Sequence, residues 1–190
     1  GLVVVQALNI NLRFRDGTVD DAERIADLGR QTFAEHFGSQ FKRSDLDLYM
    51  DRFFSLEKVR KDLQVPGFDY RIAAAGNTLV GYAKIGPATL PLAGPDPTRL
   101  QLHRLYVRGA RQGVGVGGIL LSWAIERAKE RGAEEICLGV SSNNKRAIKV
   151  YESRGFTACG THEIDVGSAR DEELMMTLPL QAEAKSKLSA

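Results

Sequence analysis

With 190 residues, 26 Lys and Arg against 24 Asp and Glu, and a net charge of +2, the chain lacks the basic excess that nucleic acid or an anionic membrane surface requires. Its length and 43% hydrophobic content suit one soluble domain, 1–190, with a core over about 12–180 and a polar tail at 181–190. Two cysteines and three scattered histidines (His36, His103 and His162) give neither a disulfide framework nor a zinc spacing, so no metal is expected.

The opening Gly1-Leu2-Val3-Val4-Val5 has no basic flank and is too short to span a bilayer, which makes the cytoplasm the expected compartment. Leu12-Arg13-Phe14-Arg15 alternates as a short strand does. Thr18-Val19-Asp20-Asp21 has a capping-box spacing and opens a helix with apolar positions at Ile25, Leu28, Phe33 and Phe37. Ser44-Asp45-Leu46-Asp47 is placed to cap a second helix, and a third is expected from Ser55 to Leu63, ending before Pro66-Gly67. Gly76-Asn77 between Tyr70–Ala74 and Thr78–Ile85 signals a hairpin. Residues 87–98 hold four prolines and form a loop, after which Leu100–Val107 returns as a strand. A helix from about Gly115 to Arg131 ends at Gly132, with Lys129 and Arg131 in its last turn. Strand Glu135–Ser141, helix Asn144–Arg154, strand Phe156–Asp165, a turn at Gly167-Ser168 and strand Leu174–Leu178 complete the order.

The run Gln112-Gly113-Val114-Gly115-Val116-Gly117-Gly118 opens a helix, where unpaired N–H groups and the helix dipole favour a phosphate. A Walker A loop is excluded, because Ile119-Leu120 stands where Lys-Ser/Thr belongs. Gly113, Gly115 and Gly118 match a dinucleotide fingerprint formally, but Arg108 to Gln112 separate the strand from the first glycine where a tight turn is needed. Arg104, Arg108, Arg111, Lys145, Arg146 and Lys149 flank the loop and suit an anionic ligand as a group.

Gln112-x-x-Gly115-x-Gly117 resembles the acyl-CoA loop of the GNAT superfamily of N-acetyltransferases. Asn144-x-x-Ala147-x-x-Val150-Tyr151-x-x-x-Gly155-Phe156 resembles that family's second signature. Thr32–Phe37, Arg104–Val107, and Gly160-Thr161-His162 with Leu174-Met175-Met176 are similar to the PaiA-type spermidine/spermine acetyltransferase branch. The resemblance implies an α/β fold with a central mixed, mostly antiparallel sheet, splayed at the middle and covered by helices on both faces. It also implies acetyl-CoA as cofactor, direct acetyl transfer to an amine acceptor in a ternary complex, and a homodimer as a family expectation. Main-chain groups of Leu105, Tyr106 and Val107 and of the Gln112–Gly118 loop would hold the cofactor.

Asn144, Ala147 and Tyr151 share one helix face, suiting a cofactor arm along the helix, with Tyr151 as acid toward the departing sulfur. The family often has glutamate where this chain has His103, so His103 is a candidate base, with a structural histidine as the equal alternative. On simple alternation it shares a face with Leu105 and Val107. For the acceptor, Glu35, Asp45, Asp47 and Asp51 interleave with Phe33, Phe37, Tyr49 and Phe53 and suggest an acidic, aromatic mouth for a polyamine. A protein N-terminal or lysyl acceptor, and a non-catalytic acyl-CoA sensor, are the alternatives.

Overall fold

A computed structural model describes residues 2–5, 10–94, 98–109 and 115–181. Eight strands form one sheet: β1 (Leu2–Val5), β2 (Ile10–Asp16), β3 (Asp69–Ala75), β4 (Thr78–Pro87), β5 (Arg99–Val107), β6 (Glu135–Ser141), β7 (Thr157–Val166) and β8 (Ala169–Pro179). Their spatial order is β1-β2-β3-β4-β5-β6-β8-β7, and every pairing is antiparallel except β5 with β6. Five α-helices among the described residues cover the sheet: α1 (Ala22–Phe37), α2 (Arg43–Phe53), α3 (Leu56–Gln64), α4 (Val116–Glu130) and α5 (Lys145–Ser153). The mixed sheet between two helical layers is the architecture expected from the sequence.

The helices follow from their apolar spacing. Along α4, Val116, Leu120, Leu121, Ala124 and Ala128 are buried, forming a stripe at three- and four-residue steps that packs on Val80, Ala83, Leu100 and Ile136. Each fully buried leucine there contributes about 2 kcal/mol. Ile25, Ala26 and Leu28 of α1 and Val59 of α3 pack on the opposite face, against Tyr70, Ile72, Leu79 and Tyr82. A third cluster joins Phe33 and Phe37 of α1 to Leu46, Tyr49 and Met50 of α2, with Phe54 and with Val166 of β7. No helix among the described residues is long and apolar enough to cross a membrane.

Most expected boundaries hold to within a few residues, and the exceptions have physical causes. Leu2–Val5 pairs with β2 as a strand. Ser44 does not cap α2, which starts at Arg43 with Lys42 at its N-cap; the Asp45 carboxylate instead accepts the Ser168 N–H and hydroxyl at 2.8 Å each. β8 begins five residues before Leu174, because Ala169–Glu173 pairs with β7 through the Gly167-Ser168 turn although its composition is polar. Ser55 does cap α3, accepting the Lys58 N–H at 3.2 Å.

The start of α1 rests on one carboxylate. Asp21 is 1% exposed and accepts Arg15 at 2.8 Å through both oxygens, Arg24 at 2.6 Å and the Thr18 N–H at 2.8 Å. The Arg15 hydrogen bonds in particular hold its carboxyl below the ordinary range. Replacing Asp21 by Ala should cost roughly 2 kcal/mol in urea denaturation, since both arginines keep solvent access. Because the folded pKa is depressed, the stabilisation is complete above about pH 4 and is lost as the pH falls further. The difference between wild type and Asp21→Ala should therefore shrink in acid.

Candidate active site

The ladder between β5 and β6 joins only Arg99, Leu100 and Gln101 to Glu135, Ile136 and Cys137. Past Gln101 the strands diverge, and from Leu102 to Tyr106 the β6-facing edge of β5 has no strand partner among the described residues. Interior N–H and C=O groups left this way call for another partner. A cleft of about 1050 Å³ lies in the gap, lined by Leu102–Val107 of β5 and Leu138–Ser141 of β6, and it reaches both faces of the sheet.

On the α4–α5 face, Gly115, Gly117 and Gly118 line the cleft. Gly115 has φ +92°, where a residue with a Cβ is strained, and the first turn of α4 has no side-chain cap and no acidic residue. Among the described residues no side chain caps its leading N–H groups, which stand beside the cleft and fit phosphate oxygens. Val116 was expected among the cofactor-binding residues, but it is buried in the core under α4 and does not line the cleft. Gln112, Gly113 and Val114 lie outside the described residues. Asn144, Ala147 and Tyr151 all line the cleft from α5, as their shared face implies. Asn144 also caps that helix, its side-chain oxygen accepting the Ala147 N–H at 3.1 Å, so its amide nitrogen is what it can offer a ligand. The Tyr151 ring meets Phe156 edge-on at 5.7 Å, and burial, with Tyr106 nearby, raises its pKa well above 10, so the phenol keeps its proton. Arg108 is tied to Gln31 at 2.6 Å and to the Leu79 carbonyl.

On the α1–α2 face, Phe33, Phe37, Tyr49 and Phe53 line the cleft, with Phe33 stacked on Tyr49 at 4.3 Å. Glu35 lines it too. The other carboxylates of the expected acidic mouth are engaged elsewhere. Asp51 does not line the cleft; it is 70% exposed and pairs with Arg30 at 3.3 Å. Asp47 pairs with Arg43 at 2.9 Å, and Asp45 is bound to Ser168.

His103 departs from simple alternation. Lys84 pairs with Arg104 and Ile85 with Leu102, so His103 is an extra residue in β5. Such a bulge puts two successive side chains on one side. Leu105 and Val107 pack on the α4 side, whereas His103 meets Phe68 edge-on at 5.9 Å on the α1–α3 side, opposite to the expected face. Its Nε2–H donates to the Pro87 carbonyl at 2.8 Å, and burial pushes its pKa down to about 4. It lines the cleft as a neutral and weak base.

Two features escape a reading of the motifs. His162 Nε2 lies 2.8 Å from Glu173 Oε1, and both residues line the cleft across the gap from β5. A side chain at Gly139 would collide with the Glu173 carboxylate, so the glycine on β6 makes room for it. This pair is legible by counting outward from the Gly167-Ser168 turn, which sets His162 opposite Glu173. The second is Arg104, which sits on the α1–α2 face against Phe54 at 5.0 Å, away from the glycine loop with which its neighbours in sequence grouped it. No group of His, Cys, Asp and Glu among the described residues is arranged to hold a metal ion.

The sequence matches the acetyltransferase (GNAT) family over residues 30–156. It is 26% identical over 156 residues to an N-acetyltransferase of Lactobacillus delbrueckii subsp. lactis, covering 82% of this chain and 90% of that one. The fold is similar to that of the PaiA N-acetyltransferase of Thermoplasma acidophilum solved with coenzyme A, at a TM-score of 0.71 and 18% identity over 88% of this chain and 98% of that one. It is also similar to yncA of Salmonella typhimurium solved with acetyl-CoA, at a TM-score of 0.66 and 22% identity over 92% and 96%.

The His103 environment has a measurable consequence. In the unfolded chain a histidine takes up its proton near pH 6.5, while in the folded protein it does so only near 4. Between those values the unfolded state binds more protons, so stability falls as pH falls. The drop in urea midpoint from pH 7 to pH 5 should be smaller in His103→Gln than in wild type, and NMR titration of the imidazole should show its midpoint near 4.

Proposed function

The chain belongs to the acetyltransferase (GNAT) family, and on that footing we propose that its cleft transfers an acetyl group from acetyl-CoA to a small amine. The observation that carries this reading is the gap between β5 and β6, with Tyr151 on one side and the His162–Glu173 pair on the other. Gly115, Gly117 and Gly118 and the α4 N-terminus would hold the pyrophosphate of the cofactor, and the partnerless edge of β5 and the Asn144–Ala147 face would hold its pantetheine arm. Bound acetyl-CoA supplies the thioester, which needs no metal to activate it.

The amine arrives as an ammonium and must lose a proton before its lone pair can form the new C–N bond. His162 Nε2–H donates to Glu173 Oε1, and the Glu173 carboxylate so held takes that proton on the α1–α2 side. The C–S bond breaks as the amide forms, and a second proton leaves the nitrogen. One proton ends on the released thiol and one in solvent. Tyr151 stabilises the departing sulfur chiefly as a hydrogen-bond donor, because full transfer from a phenol with a raised pKa to a thiolate of ordinary pKa, about 8.5, runs uphill.

A polyamine acceptor finds less support. Of the four carboxylates that would make an acidic mouth, only Glu35 lines the cleft, and the aromatic walls are matched by a cation, Arg104, on the same face. A non-catalytic acyl-CoA sensor would have no use for a paired imidazole and carboxylate across the gap from β5.

Mixing the protein with acetyl-CoA and a panel of amines should release free thiol above the hydrolysis background without added metal. Tyr151→Phe should lower kcat by roughly 10²-fold with little change in acetyl-CoA affinity by calorimetry. Glu173→Gln should lower kcat/KM by a similar factor while His103→Gln does not. Absence of acetyl-CoA binding would overturn the assignment.

A further inference from the structure

Arg104 is the unexplained charge of the site. It is partly buried, lines the cleft beside Tyr106, and faces Phe54 at 5.0 Å and Phe53 at 5.8 Å. Its Nη1 donates to the His103 carbonyl at 3.2 Å, and the Tyr49 hydroxyl is a further hydrogen-bond partner. It forms no ion pair among the described residues. Asp62, a carboxylate of the same face, is taken by Lys84 at 2.9 Å and Lys58 at 3.1 Å. Burial disfavours the charge on Arg104, yet a guanidinium is too strong a base to lose its proton at neutral pH, so Arg104 stays charged. A cation held among aromatic rings without a carboxylate is costly, and a guanidinium fork fits a carboxylate with two parallel hydrogen bonds.

The opposite wall carries the opposite charge. Glu173 on β8 and Arg104 on β5 both line the cleft, and each is an electrostatic neighbour of the Tyr106 hydroxyl. The His162–Glu173 pair suits the reacting nitrogen, Arg104 an anionic group on the same molecule, and Phe33, Phe37, Tyr49 and Phe53 an apolar body. Resting on the acetyltransferase reading, we propose that the acceptor is a small amine bearing a carboxylate, an amino-acid-like zwitterion with an apolar side chain, whose carboxylate is bound by Arg104.

The test compares acceptors that differ only in the carboxylate: L-phenylalanine, L-leucine and L-methionine against phenethylamine, 3-methylbutylamine and 3-(methylthio)propylamine, with spermidine as a separate arm. In wild type, at least one amino acid should exceed its decarboxylated partner by roughly 10²-fold in kcat/KM, and spermidine should be poor. Arg104→Gln should raise KM for that amino acid by about the same factor, with kcat changed only a few-fold and the matched amine unaffected; Arg104→Lys should fall between. If Arg104→Gln does not fold, the wild-type comparison decides by itself. Equal rates within every pair, or equal loss on amino acid and amine in Arg104→Gln, would overturn the proposal while leaving the transferase assignment intact. Acetyl-CoA binding without thiol release from any of the seven probes would overturn both.

Discussion

Everything in this molecule that bears on chemistry depends on how briefly β5 and β6 touch. Three residue pairs hold them parallel, and the strands then part. Had the ladder continued, the edge of β5 would be satisfied by β6 and the sheet would be a closed surface with nothing to offer a ligand. Parting exposes main-chain donors and acceptors inside a folded protein, where they are costly unless a ligand engages them. The flanking elements keep the gap open. α4 packs its apolar stripe on β4, β5 and Ile136 at the start of β6, and β8 pairs with β6 along the whole of Glu135–Ser141.

The gap also divides the work between the faces. Glycines and the mouth of a helix lie on one side, and aromatic rings, a guanidinium and a His–Glu pair on the other. The bulge at His103 contributes to that division. It places His103 and Arg104 in succession on the α1–α3 side while Leu105 and Val107 return to the α4 core. One extra residue thus gives β5 two adjacent polar side chains on the α1–α3 face without breaking the apolar face behind it.

Much of this was legible in the chain, for local reasons. The Gly76-Asn77 hairpin, the start of α3 at Ser55, the end of α4 before Gly132 and the shared face of Asn144, Ala147 and Tyr151 are set by residues a few positions apart, and the structure has them where the spacing put them. What was not legible depends on register between distant segments. No pattern within Leu102–Val107 announces the bulge, so alternation assigned His103 to the wrong face. The carboxylates of α2 looked available because their partners, Arg30 for Asp51 and Ser168 for Asp45, are far away in sequence. Glu173 lies in a polar stretch whose composition hides a strand, and pairing with β6 on one edge and β7 on the other brings it to the cleft.

The Asp45 contact sets a limit on how the acceptor side can adapt. α2 rests on the β7–β8 turn at Gly167, where even a Cβ would strike the Asp45 main chain, and Asp45 then clasps the Ser168 backbone. The spacing of these two walls is therefore held by a close backbone approach at Gly167 and by the Asp45 carboxylate on Ser168. A descendant of this chain that came to accept a bulkier amine would have to carve the room from the rings of Phe33, Phe37, Tyr49 and Phe53, because the frame that carries them cannot be moved outward without releasing the clasp.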